Sequence, residues 1–134
     1  MTTDTQPALL SNGRLWAGGI TTGLVVLFLA FDGITKIIQV APVVEASEKL
    51  GISRGSLVGI GVVLLVCTTI YLIPQTAVLG AILLTGYLGG ATAIHVRAGS
   101  GAFPIAFSIA FGVLAWIGLV LREPRLLWTI LLRQ

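Results

Sequence analysis

The chain is short of charge, cysteine and histidine. Of its 134 residues only 10% are charged, eight Lys and Arg against five Asp and Glu, while 56% are hydrophobic. Soluble domains carry about a quarter charged residues, and so few polar groups cannot cover a globule this apolar. With a mean hydropathy of +1.03, the composition is that of a membrane protein. The basic residues stand singly, which excludes the clustered footprint of a nucleic-acid binder. Cys67 is the one cysteine and lies in an apolar run, so it reads as a small buried hydrophobe, with no internal disulfide and no multi-thiolate metal site. His95 is the one histidine, which excludes a two-histidine metal pair and a bis-histidine haem site within one chain. There is no glycine-rich phosphate loop after a strand, and no serine or cysteine nucleophile with a supporting acid and base. No residue set argues for a reaction carried out by this chain alone.

What the sequence does have is long apolar runs. About 20 apolar residues cross roughly 30 Å of hydrocarbon, and four runs qualify: residues 15–38, 55–73, 76–95 and 104–121. The first fourteen residues, MTTDTQPALLSNGR, form a polar N-terminal tail without a small-residue cleavage motif, so the first run reads as a retained span. Residues 15–134 then form a single domain. Pro74, Gln75 and Thr76 separate the second run from the third, and VRAGSGAFP separates the third from the fourth. The expected fold is all-α, an integral membrane four-helix bundle running up and down on short links. Between the first two spans, APVVEASEKLGIS predicts a short amphipathic helix at the interface, starting after Pro42 and ending at Gly51. RLLWTILLRQ at residues 125–134 is too short to cross, and Trp128 between arginines suggests an interfacial anchor. Four small-residue pairs at four-residue spacing, Gly19 with Gly23, Gly55 with Gly59, Gly86 with Gly90 and Ala106 with Ala110, predict close helix packing and a compact bundle.

Up-and-down topology gathers Asp32, Lys36, Glu45, Glu48, Lys49, Arg54, His95 and Arg97 on one membrane side. Arg14, Arg122, Arg125 and Arg133 fall on the other. The two sides tie in basic residues until Lys36 is set aside as a paired, partly embedded charge, which tips the positive-inside rule towards cytoplasmic termini.

Asp32 and Lys36 interrupt the first span four residues apart, in the acid-before-base order that favours a helical ion pair. At 1.5 Å per residue they lie about 26 and about 32 Å from Leu15, near the edge of the hydrocarbon, where Lys36 can snorkel outward. One reading is a neutralised pair at a span end. The other follows from direction: Thr21, Asp32 and Gln39 share a face with Lys36 alongside, and Gly23 lies almost opposite. If the glycine face packs on a neighbouring helix, the polar face needs a cavity. His95 ends the third span at the same depth, and histidine can exchange a proton. Arg97, two residues on, reads either as a boundary charge or as part of the same site. Asp32, Lys36, His95 and Arg97 are therefore the candidate ligand-binding residues, with no catalytic residue and no metal ligand assigned.

FDGITKIIQVAPVVEASEKLG at residues 31–51, followed by YLIPQTAVLGAILLTGYLGGATAIHVRAG at residues 71–99, resembles the DoxX-like family of small bacterial four-span membrane proteins. The order of segments fits along most of the chain, through the last span and LREPRLL. The resemblance implies a multi-pass protein of the bacterial inner membrane, with relatives that serve as the small subunit of a thiosulfate to quinone oxidoreductase or as membrane partners of thiol and redox-stress enzymes. It places the family's recurring positions on Asp32, Gly33, Lys36, Glu45, His95 and Arg97. Many relatives carry a glutamate about ten residues before the proline that closes the second span, where this chain has Leu64. The expected function is an accessory or anchor subunit coupling a soluble oxidoreductase to membrane quinone, with quinone the one cofactor and none bound covalently. The alternatives are a small homo-oligomeric transporter using the Asp32 and Lys36 face, and an assembly protein without a ligand. The expected partners are the lipid bilayer, the oxidoreductase and further copies of the chain, not nucleic acid.

Overall fold

The computed structural model describes the backbone of residues 5–126 and side chains from Asn12 onward. The polypeptide forms five α-helices: α1 Thr5–Ile37, α2 Ala41–Lys49, α3 Arg54–Leu72, α4 Ala77–Ala98 and α5 Ala102–Arg122, with a 3-10 turn at Pro74–Thr76. Among the described residues there is no strand. Four helical stretches, Asn12–Ile37, Arg54–Leu72, Pro74–Ala98 and Ala102–Arg122, are long and apolar enough to cross a membrane. The expected all-α membrane bundle is present. The interfacial anchor expected around Trp128 lies outside the described residues.

Helix boundaries follow from local chemistry. α1 begins ten residues before the predicted span, so much of the polar N-terminal segment is continuous with the first helix. α1 ends where Gln39 takes a φ of 55° and turns the chain. Its Nε2 donates to the carbonyl of Arg54 at 2.8 Å, so Gln39 ties the end of α1 to the start of α3. Pro42 occupies the first turn of α2, where its missing N–H costs nothing, and Gly51, with φ 81°, lets the chain leave the helix. Ser53 caps α3 by accepting from the Ser56 N–H at 3.3 Å. Gly99, with φ 65°, ends α4, and the Ser100 N–H reaches back to the His95 carbonyl at 3.1 Å.

The four long helices form a ring in which α1 packs on α3 and α5, and α4 on α3 and α5. Inward residues recur every three or four positions, as in Leu57, Gly61, Leu64, Thr68 and Tyr71 of α3. Outward residues include Leu27 and Phe103, which are 71% and 78% exposed, a surface suited to lipid. Several threonine hydroxyls are satisfied within their own helices, as where Thr68 donates to Leu64 O at 2.7 Å, whereas the buried Thr22 hydroxyl has no partner.

The bundle is sealed in one half and open in the other. In the sealed half Val25, Leu29, Leu64, Tyr71, Ala81, Leu84, Ala115 and Leu119 form the core. The Tyr71 hydroxyl donates to the Ala115 carbonyl at 2.6 Å.

Close helix approach is real, but it does not use the predicted pairs. A Cβ at Gly80 would overlap the backbone of Tyr71. One at Gly61 would lie 2.7 Å from Gly33 O, and one at Gly118 2.7 Å from Thr22 Oγ1. Gly19, Gly23, Gly55, Gly59, Gly86 and Gly90 have nothing within 4 Å of that position, and Ala106 and Ala110 are exposed. Four-residue spacing puts two small residues on one face, while the bulky core side chains decide which face turns inward.

Candidate functional site

The open half encloses a cavity of about 580 Å³ beside the end of α1, roofed by α2. Its position follows from small residues in α4: Gly86, Gly90 and Ala91 line it where larger side chains would fill it. The body is apolar and aromatic. Phe28 of α1 meets Phe107 edge-on with ring centroids 5.3 Å apart, and Phe111 of α5 at 4.4 Å. Leu29, Ile60, Leu88 and Ile94 complete this part, and Pro42, Val43, Ala46, Ser47 and Leu50 supply the roof.

The polar groups come from three helices, with the α1 pair and the α4 pair on opposite sides of the ring. Asp32 and Lys36 line the cavity and form an ion pair through Asp32 Oδ2 and Lys36 Nζ, with Lys36 the more buried of the two. Phe28, Asp32 and Lys36 are successive turns of one α1 face, which places an aromatic ring directly below the charges. Tyr87 and His95, two turns apart on α4, line the same cavity. The Nδ1 atom of His95 is buried and has no hydrogen-bond partner. Ser108 is also on the lining and donates to Pro104 O at 3.2 Å.

A smaller cleft of about 330 Å³ lies against the cavity and is lined by Glu45, Lys49 and Ser100. Pro42, Ala46, Leu50 and His95 line both spaces, so α2 and the imidazole stand between them. A third depression, also of about 580 Å³, runs along the outside of α4 and α5 between Thr85 and Leu121. It contains no ionisable group and faces lipid; its one polar contact is Trp116 Nε1 donating to Thr85 Oγ1 at 2.7 Å. The candidate chemistry belongs to the inner cavity.

Of the four predicted site residues, Asp32, Lys36 and His95 meet around this cavity. Arg97 does not: it is exposed, because two residues beyond His95 the helix has turned through about 200°. The premise about Gly23 is also corrected, since Gly23 faces outward, unpacked. Glu45 borders the cleft, and Gly33 lies on the α1–α3 seam. Leu64 is fully buried in the core, on the sealed side of the cavity.

The sequence reading missed Tyr87, Ser108 and the Phe28, Phe107 and Phe111 cluster. Two signals were available, the spacing of Tyr87, Ala91 and His95 and that of Phe103, Phe107 and Phe111, each marking one helical face. Among the described residues no group of three or more His, Cys, Asp or Glu is placed to hold a metal ion.

No curated protein and no solved structure matches the chain. The profile of the DoxX-like family matches residues 20–118, from within α1 to near the end of α5, a stretch that contains every residue lining the cavity. On that match, and as a multi-pass protein with four membrane-crossing helices, the chain belongs to the DoxX-like family.

Proposed function

We propose that this protein is an accessory membrane subunit whose inner cavity binds the head of a quinone and thereby couples a redox partner to the membrane quinone pool. The observation that carries the reading is an aromatic cavity of about 580 Å³ with ionisable side chains converging on it from α1 and α4. Small-molecule sites are commonly about 300–1,000 Å³, mostly apolar, with a few convergent polar groups. A quinone head is flat, apolar on its faces and polar at two opposed carbonyl oxygens.

Each lining group has a chemical part in this reading. Lys36 Nζ donates to a carbonyl oxygen, and Asp32 holds the ammonium in place. The aromatic rings of Phe28, Phe107 and Phe111 pack on the ring face. His95 has one buried, unpartnered nitrogen and also borders the cleft that carries Glu45, so it can pass a proton between the two spaces. Quinone supplies the redox chemistry when bound, and the electrons come from the partner.

The same arrangement favours a binding site over a transport path. Leu29, Leu64 and Leu84 close the bundle directly beyond the cavity, and Tyr71 and Leu119 close it further on. Among the described residues, this packing blocks a path from His95 along the bundle axis of a single chain.

We place the protein in the bacterial inner membrane with cytoplasmic termini. Lys36 is paired with Asp32, which leaves Lys49, Arg54 and Arg97 against Arg14, Arg122, Arg125 and Arg133 across the membrane. The test is purification in mild detergent of wild type, Lys36→Ala and His95→Ala, followed by mass spectrometry of bound small molecules. Titration with a short-chain benzoquinone completes it. Quinone retained by wild type and lost from both variants supports the reading. Equal retention in all three, or no binding at saturating benzoquinone, overturns it.

A further inference from the structure

At the end of the bundle away from the cavity, two arginines each reach across the α1–α5 seam. Arg14 Nη2 reaches the Val120 carbonyl at 3.5 Å. The stem of Arg122 crosses Gly18, one turn along α1 from Arg14, where a Cβ would stand 2.9 Å from Arg122 Cγ. The Arg122 guanidinium lies 5.5 Å from the centroid of the Tyr71 ring. Arg14 Nε, Arg122 Nε and Arg122 Nη2 are buried and have no hydrogen-bond partner. No carboxylate among the described residues pairs with either arginine, since the ion pair there is Lys36 with Asp32 at the opposite end.

Two like charges with buried, unsatisfied donors are costly unless an anion completes them. Guanidinium presents a planar fork of donors that matches the oxygens of a phosphate group. Depth points to the source of that phosphate. Arg14 is the third residue of the span Asn12–Ile37 and Arg122 the last of Ala102–Arg122, so both lie at the level of lipid headgroups.

The outer groove supplies a second, independent observation. It runs along α5 from Ile109 to Leu121 and ends at Val120 and Leu121, beside the arginines. At 1.5 Å per residue this is about 18 Å, close to the half-thickness of a bilayer's hydrocarbon, about 15 Å. Its lining is apolar apart from Thr85, whose hydroxyl is engaged by Trp116. A free phosphate ion would use the arginines and leave the groove without a role.

We infer that Arg14 and Arg122 hold the headgroup phosphate of an anionic glycerophospholipid, one acyl chain of which lies in the groove along α5. This site is separate from the quinone cavity and does not depend on it.

The experiment is native mass spectrometry of the full chain purified in mild detergent and supplied with phosphatidylglycerol. The variants are Arg14→Gln/Arg122→Gln and Val113→Trp, the second of which fills the groove without touching the arginines. Wild type is expected to retain one phospholipid, with retention falling about tenfold or more in each variant. Thermal stability measured in parallel should rise on adding phosphatidylglycerol to wild type and not on adding inorganic phosphate alone. Arg122→Lys keeps the charge without the fork and should fall between wild type and the double variant; it also serves if the double variant does not fold. Equal retention by wild type and the arginine variants overturns the proposal. So does full stabilisation by inorganic phosphate with no effect of Val113→Trp, which would make this a free-anion site.

Discussion

The hydroxyl of Tyr71 on α3 donates to the carbonyl oxygen of Ala115 on α5 at 2.6 Å, a bond across the bundle between residues 44 positions apart. Tyr71 is fully buried, and Gly80 of α4 packs directly against its backbone. Tyr71 therefore joins α3 to both α4 and α5 at the end of the bundle away from the cavity, with Leu64 and Leu84 packed between it and the cavity.

Tyr71→Phe keeps the packing and removes one interhelical hydrogen bond. Such bonds within membrane bundles contribute about 0.6 kcal/mol on average, up to about 1.7. Tyr71→Ala opens a void in the core and should cost about 3–5 kcal/mol. Unfolding of both variants in detergent checks the difference, and equal losses would mean that the packing of the ring is not what holds this half together.

The glycines give a sharper contrast. Gly80→Ala must displace the Tyr71 backbone, so a loss of several kcal/mol or failure to accumulate in the membrane is expected. Gly59→Ala, at a position with open space around it, should be neutral or stabilising by up to about 1 kcal/mol, because alanine loses less backbone freedom in a helix. Comparing thermal midpoints of the two variants tests which glycines are seams.

This contrast also marks how far the sequence could be read. The four spans were legible because long apolar runs have few other uses, and α2 was legible because Pro42 and Gly51 bracket an alternating segment. Asp32, Lys36 and His95 could be gathered at one end by counting helix directions alone. The phase of each helix could not, because Gly19 with Gly23 and Gly33 with Gly61 differ only in what faces them in three dimensions. The cavity was hidden for the same reason. It is bounded by α1, α2, α3, α4 and α5 together, and the small residues that open it, Gly86 and Gly90, look like packing residues when α4 is read alone.

If the missing side chains of Gly86 and Gly90 make the cavity, restoring bulk should close it. Gly86→Leu/Gly90→Leu is expected to fold, since neither position has an atom within 4 Å of the added Cβ, and to lose benzoquinone binding. Circular dichroism and thermal stability would establish folding, and a titration would read binding. Undiminished binding would place the ligand elsewhere.

Asp32 and Lys36 should behave as a unit. Replacing Lys36 by Met leaves a partly buried carboxylate without its partner, and replacing Asp32 by Asn leaves the ammonium alone, so each single change costs more than its share of the pair. A double-mutant cycle should give a coupling of about 1 kcal/mol, at the modest end because the Asp32 side chain is 32% exposed. Additive effects on stability would show that the two charges are not energetically linked.

Leu64 distinguishes the sealed half from the cavity most directly. The residue is fully buried and packs in the cluster that contains Val25, Leu29 and Leu84. A carboxylate introduced there would be cut off from water, and an acid at the centre of a span costs about 2.5–3.5 kcal/mol on insertion scales. Leu64→Glu should therefore destabilise the protein by about that amount, while Leu64→Gln, which carries no charge, should cost less. Detergent unfolding of the two variants measures the gap between them. A Leu64→Glu protein as stable as wild type would mean that the cavity and its polar groups extend deeper into the bundle than Leu29 and Leu84 allow, and that the sealed half can host a functional acid.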